Sequence, residues 1–493
     1  MNKKIFEAEV FFYTVFLFVC VFVLLQSPLA PFAKSINGVD SSAFIYSAER
    51  ILDGQTMYKD VVDHKGPFLY FINAIALLIF HRNFIGIWIF EIISLLASSI
   101  MMYKIARFFA GKISSFFAII TAILFLVPLL IGGNITEEWS LPFISIATYL
   151  FLAYLKENKP FTIIRLAVLS LTFVLTFMIR ANMIAVWAGF GIVLAIKWVV
   201  EKKYKELIRN LSFILLFVLL FLLPFFLYFY FKGALSDAIY LIFKFNMFEY
   251  EPSSFFFTLK RSFKIMTGVY QLNVIPFIIM IYMLLRNKTI MNGSVVFAYV
   301  FTALACSLGR RYPHYFIIFA PLIVISYAYI FDVIKESFPK AKYILLFLLF
   351  IFYNYNPAIM QAQNIADNYS EKGFGPQTVP PLTMAKLKKI IIQNTKPSDK
   401  ILVRGYQSAV YLYSGRICAT RFPYTLNWSS LEIKNYVKDA EKALPELILQ
   451  NGVANSSDLD KSGFSLDNLL NNKYRLISSD IGRTEIWKLK EGR

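Results

Sequence analysis

The chain has 493 residues, of which 58% are hydrophobic and 17% aromatic, and its mean hydropathy is +0.58. A soluble protein of this size keeps a polar surface, so these values exclude that class and place most of the chain in lipid. The formal net charge of +19 does not indicate a nucleic-acid partner. The basic residues lie mostly in short loops between apolar runs, where the positive-inside rule places them.

Two apolar runs near the N-terminus decide the topology. The first, about 10–31, is longer than the apolar region of a signal peptide, and Pro31 opposes cleavage near Ala33, so we expect an uncleaved membrane helix. The second, 67–80, follows "VVDHKG" and is short for a span. The later basic connectors are 104–112, 156–159, 197–209, 286–288 and 335–342. If 67–80 crossed the membrane, these connectors would all lie outside. We therefore expect 67–80 to be an interfacial helix that lies flat on the outer side.

With this threading, the sequence predicts an all-α polytopic membrane protein of about eleven transmembrane helices. The predicted spans are about 10–31, 84–103, 113–132, 139–155, 161–179, 183–200, 211–231, 270–285, 292–308, 314–331 and 343–358. We expect a transmembrane module over 1–360, with its first outer loop at 32–83, and a polar C-terminal domain over 361–493 on the extracytoplasmic side.

The C-terminal domain is expected to be a small α/β fold. Residues 383–393 read as a helix, and the run "KILVRGYQSAVYLYSG" reads as strand. "YRLISS" and "TEIWKLK" flank an Asp-Ile-Gly turn and predict a terminal hairpin.

The predicted outer loops collect the unusual charged residues. The first outer loop carries Asp40, Glu49, Asp53, Asp60, Asp63, His64 and Lys65. Later outer loops carry Glu137, Glu138, Arg180, Glu251 (in a long loop over 232–269), Arg310, Arg311, His314 and Tyr315. Taken singly, loop carboxylates are usually solvated, and arginines at helix ends usually extend to the lipid headgroups. Outer arginines nevertheless oppose the positive-inside bias and could bind an anionic phosphate. A carboxylate base beside a cationic phosphate clamp is what sugar transfer from a lipid phosphate requires.

The first loop also carries a family resemblance. The pattern that runs through Asp40, Tyr46, Ala48, Leu52, Gly54, Tyr58, Asp60 and "DHKGP" resembles the membrane-embedded GT-C glycosyltransferases. Within them it is most similar to bacterial relatives of protein mannosyltransferases, aminoarabinose–lipid A transferases and rhizobial lipopolysaccharide glycosyltransferases. "NITEE" and "GRRYPHYF" match further landmarks of these enzymes. The resemblance implies GT-C architecture and an inverting transfer of a hexosyl or pentosyl group from a polyprenyl-phosphate donor. The acceptor would be a cell-envelope glycan, lipid or protein on the extracytoplasmic side of the inner or plasma membrane.

The resemblance also implies residue roles. Asp40 would act as, or orient, the general base for the acceptor hydroxyl, and Lys65 would hold the lipid phosphate. The acid of the second outer loop falls at Glu137 or Glu138. The leaving group is already a phosphate, so cations can stabilise it without a proton donor. We therefore place Lys65, Arg311, Arg180, His314 and Tyr315 at the donor phosphate. We place Glu137, Glu138, Asp60, Asp63 and His64 on the acceptor side.

Two rival functions stay open on the sequence alone. A polyprenyl-linked glycan flippase or transporter would place its ionisable residues near the middle of the membrane. An O-antigen ligase or polymerase would place its main acceptor loop late in the chain. The first loop has no Asp-x-Asp pair, so we expect no obligatory cofactor, with a divalent cation as the alternative.

Overall fold

The protein is described by a computed structural model that covers residues 3–249, 260, 274–307, 312–374, 379–404, 408–424, 430–451, 466–482 and 484–490. The chain forms two compact units. The bundle unit comprises Met1–Gln26, Trp88–Leu227 and Ser253–Gln363. The loop unit comprises Ser27–Ile87, Tyr228–Pro252 and Asn364–Arg493. The predicted division at residue 360 stays a prediction.

The chain is mostly helical. Its α-helices are α1 (Lys3–Leu24), α2 (Val39–Leu52), α3 (Pro67–Ile79), α4 (Ile85–Ala106), α5 (Lys112–Phe125), α6 (Val127–Leu130), α7 (Thr136–Glu157), α8 (Ile163–Phe177), α9 (Ala185–Val200), α10 (Tyr204–Phe231), α11 (Leu235–Ile239), α12 (Val274–Arg286), α13 (Ile290–Ser307), α14 (Ala320–Ser337), α15 (Lys342–Asn368), α16 (Pro381–Asn394), α17 (Ser408–Ser414), α18 (Ser430–Ala443) and α19 (Asp467–Lys473). The described part of the chain also contains two 3₁₀ segments, Ala181–Ile184 and Pro313–Phe319, and a π-helical segment, Tyr240–Glu249.

Eight helices in the described part of the chain are long and apolar enough to cross a membrane, judged by length and composition. Each coincides with a predicted span. The other three predicted spans coincide with the shorter apolar helices Glu9–Leu24, Ile163–Phe177 and Ile275–Arg286. The chain is therefore a multi-pass membrane protein, and the count of about eleven spans stays a prediction. The helix predicted over 67–80 is present as α3, and its flat position in the interface stays a prediction.

Small residues let two helices of the bundle unit approach closely. Helix α9 packs along α13. A Cβ atom added to Gly189 would lie 2.7 Å from the Cα of Ala298. The glycine therefore permits backbone-to-backbone contact, which is how helices commonly associate in lipid.

The C-terminal part of the loop unit contains a five-stranded mixed sheet. Its strands are β1 (Lys400–Arg404), β2 (Ile417–Cys418), β3 (Leu447–Asn451), β4 (Tyr474–Ile481) and β5 (Thr484–Leu489), in the order β2-β1-β3-β5-β4. Strand β1 is parallel to β2 and β3, and β5 is antiparallel to β3 and β4. The predicted small α/β fold, the helix over 383–393 and the terminal hairpin are all confirmed.

Three expectations about local structure are wrong. The strand-like run over 400–415 contains a strand only to Arg404, and Ser408–Ser414 forms the helix α17. Four consecutive residues of this helix, 408–411, are buried together with Ser414, so the helix is covered on more than one face and shows no alternation by which strand and helix could be told apart. The described start of the long loop over 232–269 is helical from Leu235 to Glu249. The two acids of the second outer loop, Glu137 and Glu138, lie in the first turn of α7.

Candidate active site

The Asp63 carboxylate is the centre of a buried polar group in the loop unit, and its side chain is 1% exposed. Its Oδ1 atom accepts hydrogen bonds from the Tyr424 hydroxyl at 2.7 Å, the His64 N–H at 2.6 Å and the Lys65 N–H at 3.4 Å. Burial alone raises the pKa of Asp63. The charges of Lys65 and His64 and the hydrogen bonds from Tyr424 and the His64 N–H outweigh burial and hold this pKa below its usual range.

Both the main chain and the side-chain ammonium of Lys65 are held by contacts. Its carbonyl accepts the Tyr58 hydroxyl at 2.7 Å, and its Nζ atom lies 4.0 Å from Oδ1 of Asp63. The same ammonium lies 5.5 Å from the ring centroid of Phe44, within cation–π range. The side chain is 14% exposed. Lys65 is thus a partly buried cation whose position is set by a carboxylate and an aromatic face.

Asp40 lies in the first turn of α2. The N-cap of this helix is Gly38, whose backbone is extended. Its side chain is half-buried. Asp40 and Phe44 are four residues apart, so they share one face of α2. The first turn of a helix favours a carboxylate, because the free backbone N–H groups there carry partial positive charge.

The two other acceptor-side candidates of the first loop differ in their surroundings. His64 is buried, with Nδ1 3.5 Å from Oδ1 of Asp63, and its carbonyl accepts the Asn246 amide at 2.7 Å. Asp60 is exposed and accepts the Thr56 N–H at 2.8 Å, which caps a turn.

A second charged group lies in the bundle unit, around Glu137. This carboxylate is 1% exposed, and its Oε1 atom is 2.7 Å from Nη1 of Arg180. Arg180 also donates from Nη2 to the Tyr315 hydroxyl at 2.6 Å, and its guanidinium lies 4.4 Å from the centre of that ring. His314 Nε2 lies 4.0 Å from Oε2 of Glu137, which also accepts the Thr136 hydroxyl at 2.8 Å. Arg180 is therefore the partner of a buried acid.

Glu91 is a buried acid that the sequence analysis did not select. It accepts the backbone N–H of Asn134, whose side-chain oxygen in turn accepts Trp139 Nε1–H at 2.8 Å. The turn before α7 is thereby tied to α4. A carboxylate inside an apolar run was the available signal, because such residues are rare in membrane helices. Glu138 is buried in the first turn of α7.

The predicted site residues thus fall into two groups. Glu137, Arg180, His314 and Tyr315 contact one another in the bundle unit, whereas Asp63, His64 and Lys65 contact one another in the loop unit. Arg311 lies outside the described residues, as do Arg310 and Glu251. Asn246 and Tyr424 were missed, because nothing local in the sequence distinguishes them from other polar residues near apolar runs. Tyr58 was named only as a member of the first-loop family pattern.

Among the described residues, no group of three His, Cys, Asp or Glu side chains is arranged to hold a metal ion. In the bundle unit, the carboxylate of Glu137 is already bound by a guanidinium and a hydroxyl.

No protein-family model matches the chain, and the search of curated proteins finds no match either. Solved structures do match. ArnT from Cupriavidus metallidurans bound to undecaprenyl phosphate is similar over 98% of both chains, with a TM-score of 0.61 and 13% identity. An Archaeoglobus fulgidus oligosaccharyltransferase in complex with Zn and sulfate is similar over 89% of this chain and 68% of its own, with a TM-score of 0.53 and 12% identity.

A third similar structure is the oligosaccharyltransferase AglB from the same archaeon, in complex with an inhibitory peptide and a dolichol-phosphate. It covers 90% of this chain and 70% of its own, with a TM-score of 0.52 and 12% identity. At these identities the likeness shows the fold. The chain has the fold of these structures, and the predicted helical membrane fold with a small C-terminal sheet is confirmed, whereas the number of spans stays a prediction.

Proposed function

We propose that the protein is an inverting glycosyltransferase. It transfers a sugar from a polyprenyl-phosphate donor to a glycan, lipid or protein of the cell envelope, on the extracytoplasmic side of the membrane. One observation carries the proposal. The Lys65 ammonium lies over the ring of Phe44, and Phe44 shares a face of α2 with Asp40.

In the proposal, Asp40 is the base and Lys65 is the phosphate contact. Four residues of helix rise about 6 Å, so Asp40 lies roughly one helical turn from Phe44, the residue whose ring faces the Lys65 ammonium. An anomeric carbon whose leaving phosphate binds Lys65 would then present its opposite face toward Asp40. Attack from that face inverts the anomeric centre.

The reaction needs few groups. Asp40 accepts the proton of the acceptor hydroxyl as its oxygen attacks the anomeric carbon, and the bond from that carbon to the phosphate oxygen breaks. The polyprenyl phosphate leaves as an anion and keeps the electron pair of that bond. Lys65 stabilises this anion, so no acid is needed to protonate it.

The remaining candidate residues have supporting roles in the proposal. Arg311, Arg180, His314 and Tyr315 stay the donor-phosphate contacts expected from the sequence, and within the bundle unit Arg180 balances the buried charge of Glu137. Within the loop unit, Asp63 and His64 hold Lys65, and Asp60 stays a candidate for the acceptor side.

The similar structures support the lipid carrier. ArnT is bound to undecaprenyl phosphate and AglB to a dolichol-phosphate, and both ligands are polyprenyl phosphates. The apolar helix α3 begins two residues after Lys65, so a lipid tail that follows α3 would bring its phosphate to that ammonium. The zinc in the second similar structure belongs to that protein. A divalent cation in this chain stays an alternative that a chelator would test.

The proposal is tested by incubating the purified protein with a panel of polyprenyl-phosphate sugars and envelope extracts, followed by mass spectrometry. We expect loss of the sugar from one donor and its appearance on an acceptor. Lys65→Ala should abolish this transfer, whereas Lys59→Ala, which changes an exposed lysine of the same loop, should not. A flippase would instead move the intact lipid across liposome membranes without forming any glycosylated product, and that result would overturn the proposal.

A further inference from the structure

The segment 418–424, which we call the docking segment, joins the C-terminal sheet to the first loop. The Cys418 N–H donates to the hydroxyl oxygen of Tyr46 at 2.9 Å. The N–H of Val62 donates to the carbonyl of Arg421 at 2.7 Å. The second bond fixes the backbone of the first loop immediately before Asp63.

The last residue of the docking segment reaches the centre of the buried polar group. The Tyr424 hydroxyl donates to Oδ1 of Asp63, and both side chains are buried. The N–H groups of His64 and Lys65, the two residues that follow Asp63 in the chain, also donate to this oxygen. These two donors belong to the loop itself, whereas Tyr424 is 361 residues away and lies in the C-terminal part of the loop unit. Tyr424 therefore fixes Asp63 relative to the rest of the loop unit.

The consequence extends to Lys65. Its main-chain N–H and its ammonium both face Oδ1 of Asp63, so the position of that oxygen sets the position of the ammonium. A buried carboxylate is costly to leave without donors, and it follows the donors that remain. We propose that Tyr424 is a positioning residue for donor binding, whose hydroxyl fixes Asp63 and, through Asp63, the Lys65 ammonium. The inference rests on the proposed function in one respect, the assignment of Lys65 to the donor phosphate.

The C-terminal domain thus has a part in donor recognition without touching the donor. A plain structural role for Tyr424 would be the filling of a buried site and the satisfaction of one hydroxyl. The two roles differ in what they predict for a variant that keeps the ring and removes the hydroxyl. The structural role predicts a change in stability alone, and the positioning role predicts a change in donor affinity as well.

Tyr424→Phe is the test, with Tyr474→Phe as the matched control. Tyr474 is a buried tyrosine of the same domain, and its hydroxyl donates to the Pro445 carbonyl at 2.7 Å. The measurement is the dissociation constant of undecaprenyl phosphate for the purified, full-length protein. We expect Tyr424→Phe to weaken this binding about five- to tenfold, the range of one lost hydrogen bond. Tyr474→Phe should bind as the wild type does. Wild-type affinity in Tyr424→Phe would overturn the inference.

A double-mutant cycle with Asp63→Asn shows whether Tyr424 acts through Asp63. If it does, Tyr424→Phe in the Asp63→Asn background should weaken binding by less than about twofold, because the carboxylate is already gone. Two effects that multiply in full would overturn the inference. The affinity for undecaprenyl phosphate, measured as the pH is lowered, is a second test. Loss of the hydroxyl raises the pKa of Asp63, so donor binding in Tyr424→Phe should fail at a higher pH than in the wild type.

Failure of the proposed function gives a different result. If the wild type does not bind undecaprenyl phosphate, or if Lys65→Ala binds it as well as the wild type, the role of Lys65 is wrong. If Lys65→Ala loses binding and Tyr424→Phe keeps it, only the positioning role is wrong. If Tyr424→Phe does not fold, the test is made with Asp63→Asn alone. Wild-type affinity of Asp63→Asn for undecaprenyl phosphate would also overturn the inference.

Discussion

Arg180→Met is the substitution for which the sequence and the structure predict different outcomes. The sequence places Arg180 at the donor phosphate, so its loss would weaken donor binding. In the structure, the guanidinium lies 2.7 Å from the carboxylate of Glu137, whose side chain is 1% exposed, and it also donates to the Tyr315 hydroxyl. Its loss would leave a buried carboxylate with the Thr136 hydroxyl at 2.8 Å and His314 at 4.0 Å.

The expected cost follows from this geometry. Removing one partner of a buried ion pair costs about 3–5 kcal/mol, because the remaining charge is uncompensated. We therefore expect Arg180→Met to be strongly destabilising. The second substitution Glu137→Gln removes that charge, and the double variant should recover more than half of the loss. Arg180→Lys should recover less, since an ammonium cannot contact the carboxylate and the tyrosine hydroxyl in the same fork.

The assay is the thermal unfolding midpoint of the purified protein in detergent, measured beside the affinity for undecaprenyl phosphate. Arg165→Met is the control, because Arg165 pairs with Glu157 at 3.2 Å on an exposed surface, where such pairs contribute little. If Arg180→Met keeps the wild-type midpoint, or if Glu137→Gln does not rescue it, the ion pair does not stabilise the bundle unit. The role of Arg180 would then be confined to the donor.

Four further outcomes are expected. Lys65→Ala should weaken undecaprenyl phosphate binding by about 1.5–3 kcal/mol, the range of a charge-assisted contact, and Lys65→Arg should restore little of this affinity. Equal affinity in the wild type and both variants would refute the contact between Lys65 and the donor phosphate. Asp40→Asn should lower turnover by ~10²–10⁴ with donor binding retained, and a variant that turns over at the wild-type rate would remove the base assignment. The pKa of Asp63 is lowered in the fold, so its stabilising effect is present above the ordinary value of 3.8 and is lost as the pH falls through the folded value. The difference in unfolding midpoint between wild type and Asp63→Asn should accordingly shrink below that pH, and a constant difference would contradict this. Gly189→Ala should destabilise by about 1–3 kcal/mol, because the new Cβ meets the Ala298 backbone, whereas Gly191→Ala has open space and should not.

The sequence predicted the elements whose signal is local. A membrane helix needs a long apolar run, so every predicted span coincides with an apolar helix. Helix α3 was predicted from the Gly-Pro start and the apolar run after it, and the terminal hairpin from two alternating strands around Gly482. In each case the deciding residues are neighbours in the chain.

Local patterns did not predict α2 within the first outer loop. Its buried residues run almost continuously from Ser41 to Ala48, so no single polar face marks it as a surface helix. The reason lies in its neighbours. Helix α2 packs against α3 on one side and against α17 on the other, and the ring of Tyr46 lies 5.2 Å from that of Tyr411. Helix α2 is thus buried by contacts with distant segments that its own sequence does not specify.

The same limit explains why the contacts of the candidate site were missed. Tyr424 and Asp63 are separated by 361 residues, and Arg180 and Glu137 by 43. Each pair consists of a buried carboxylate and a distant donor, and neither member has a sequence pattern that names its partner. Buried carboxylates require such donors, so acidic residues at the ends of apolar helices predict that hydrogen-bond donors lie nearby in the fold. Which residues they are follows only from the fold, and in the loop unit the fold supplies Tyr424 from the C-terminal domain. In our proposal, the first loop carries the chemistry of the site, and the C-terminal part of the loop unit sets the position of its lysine through Tyr424.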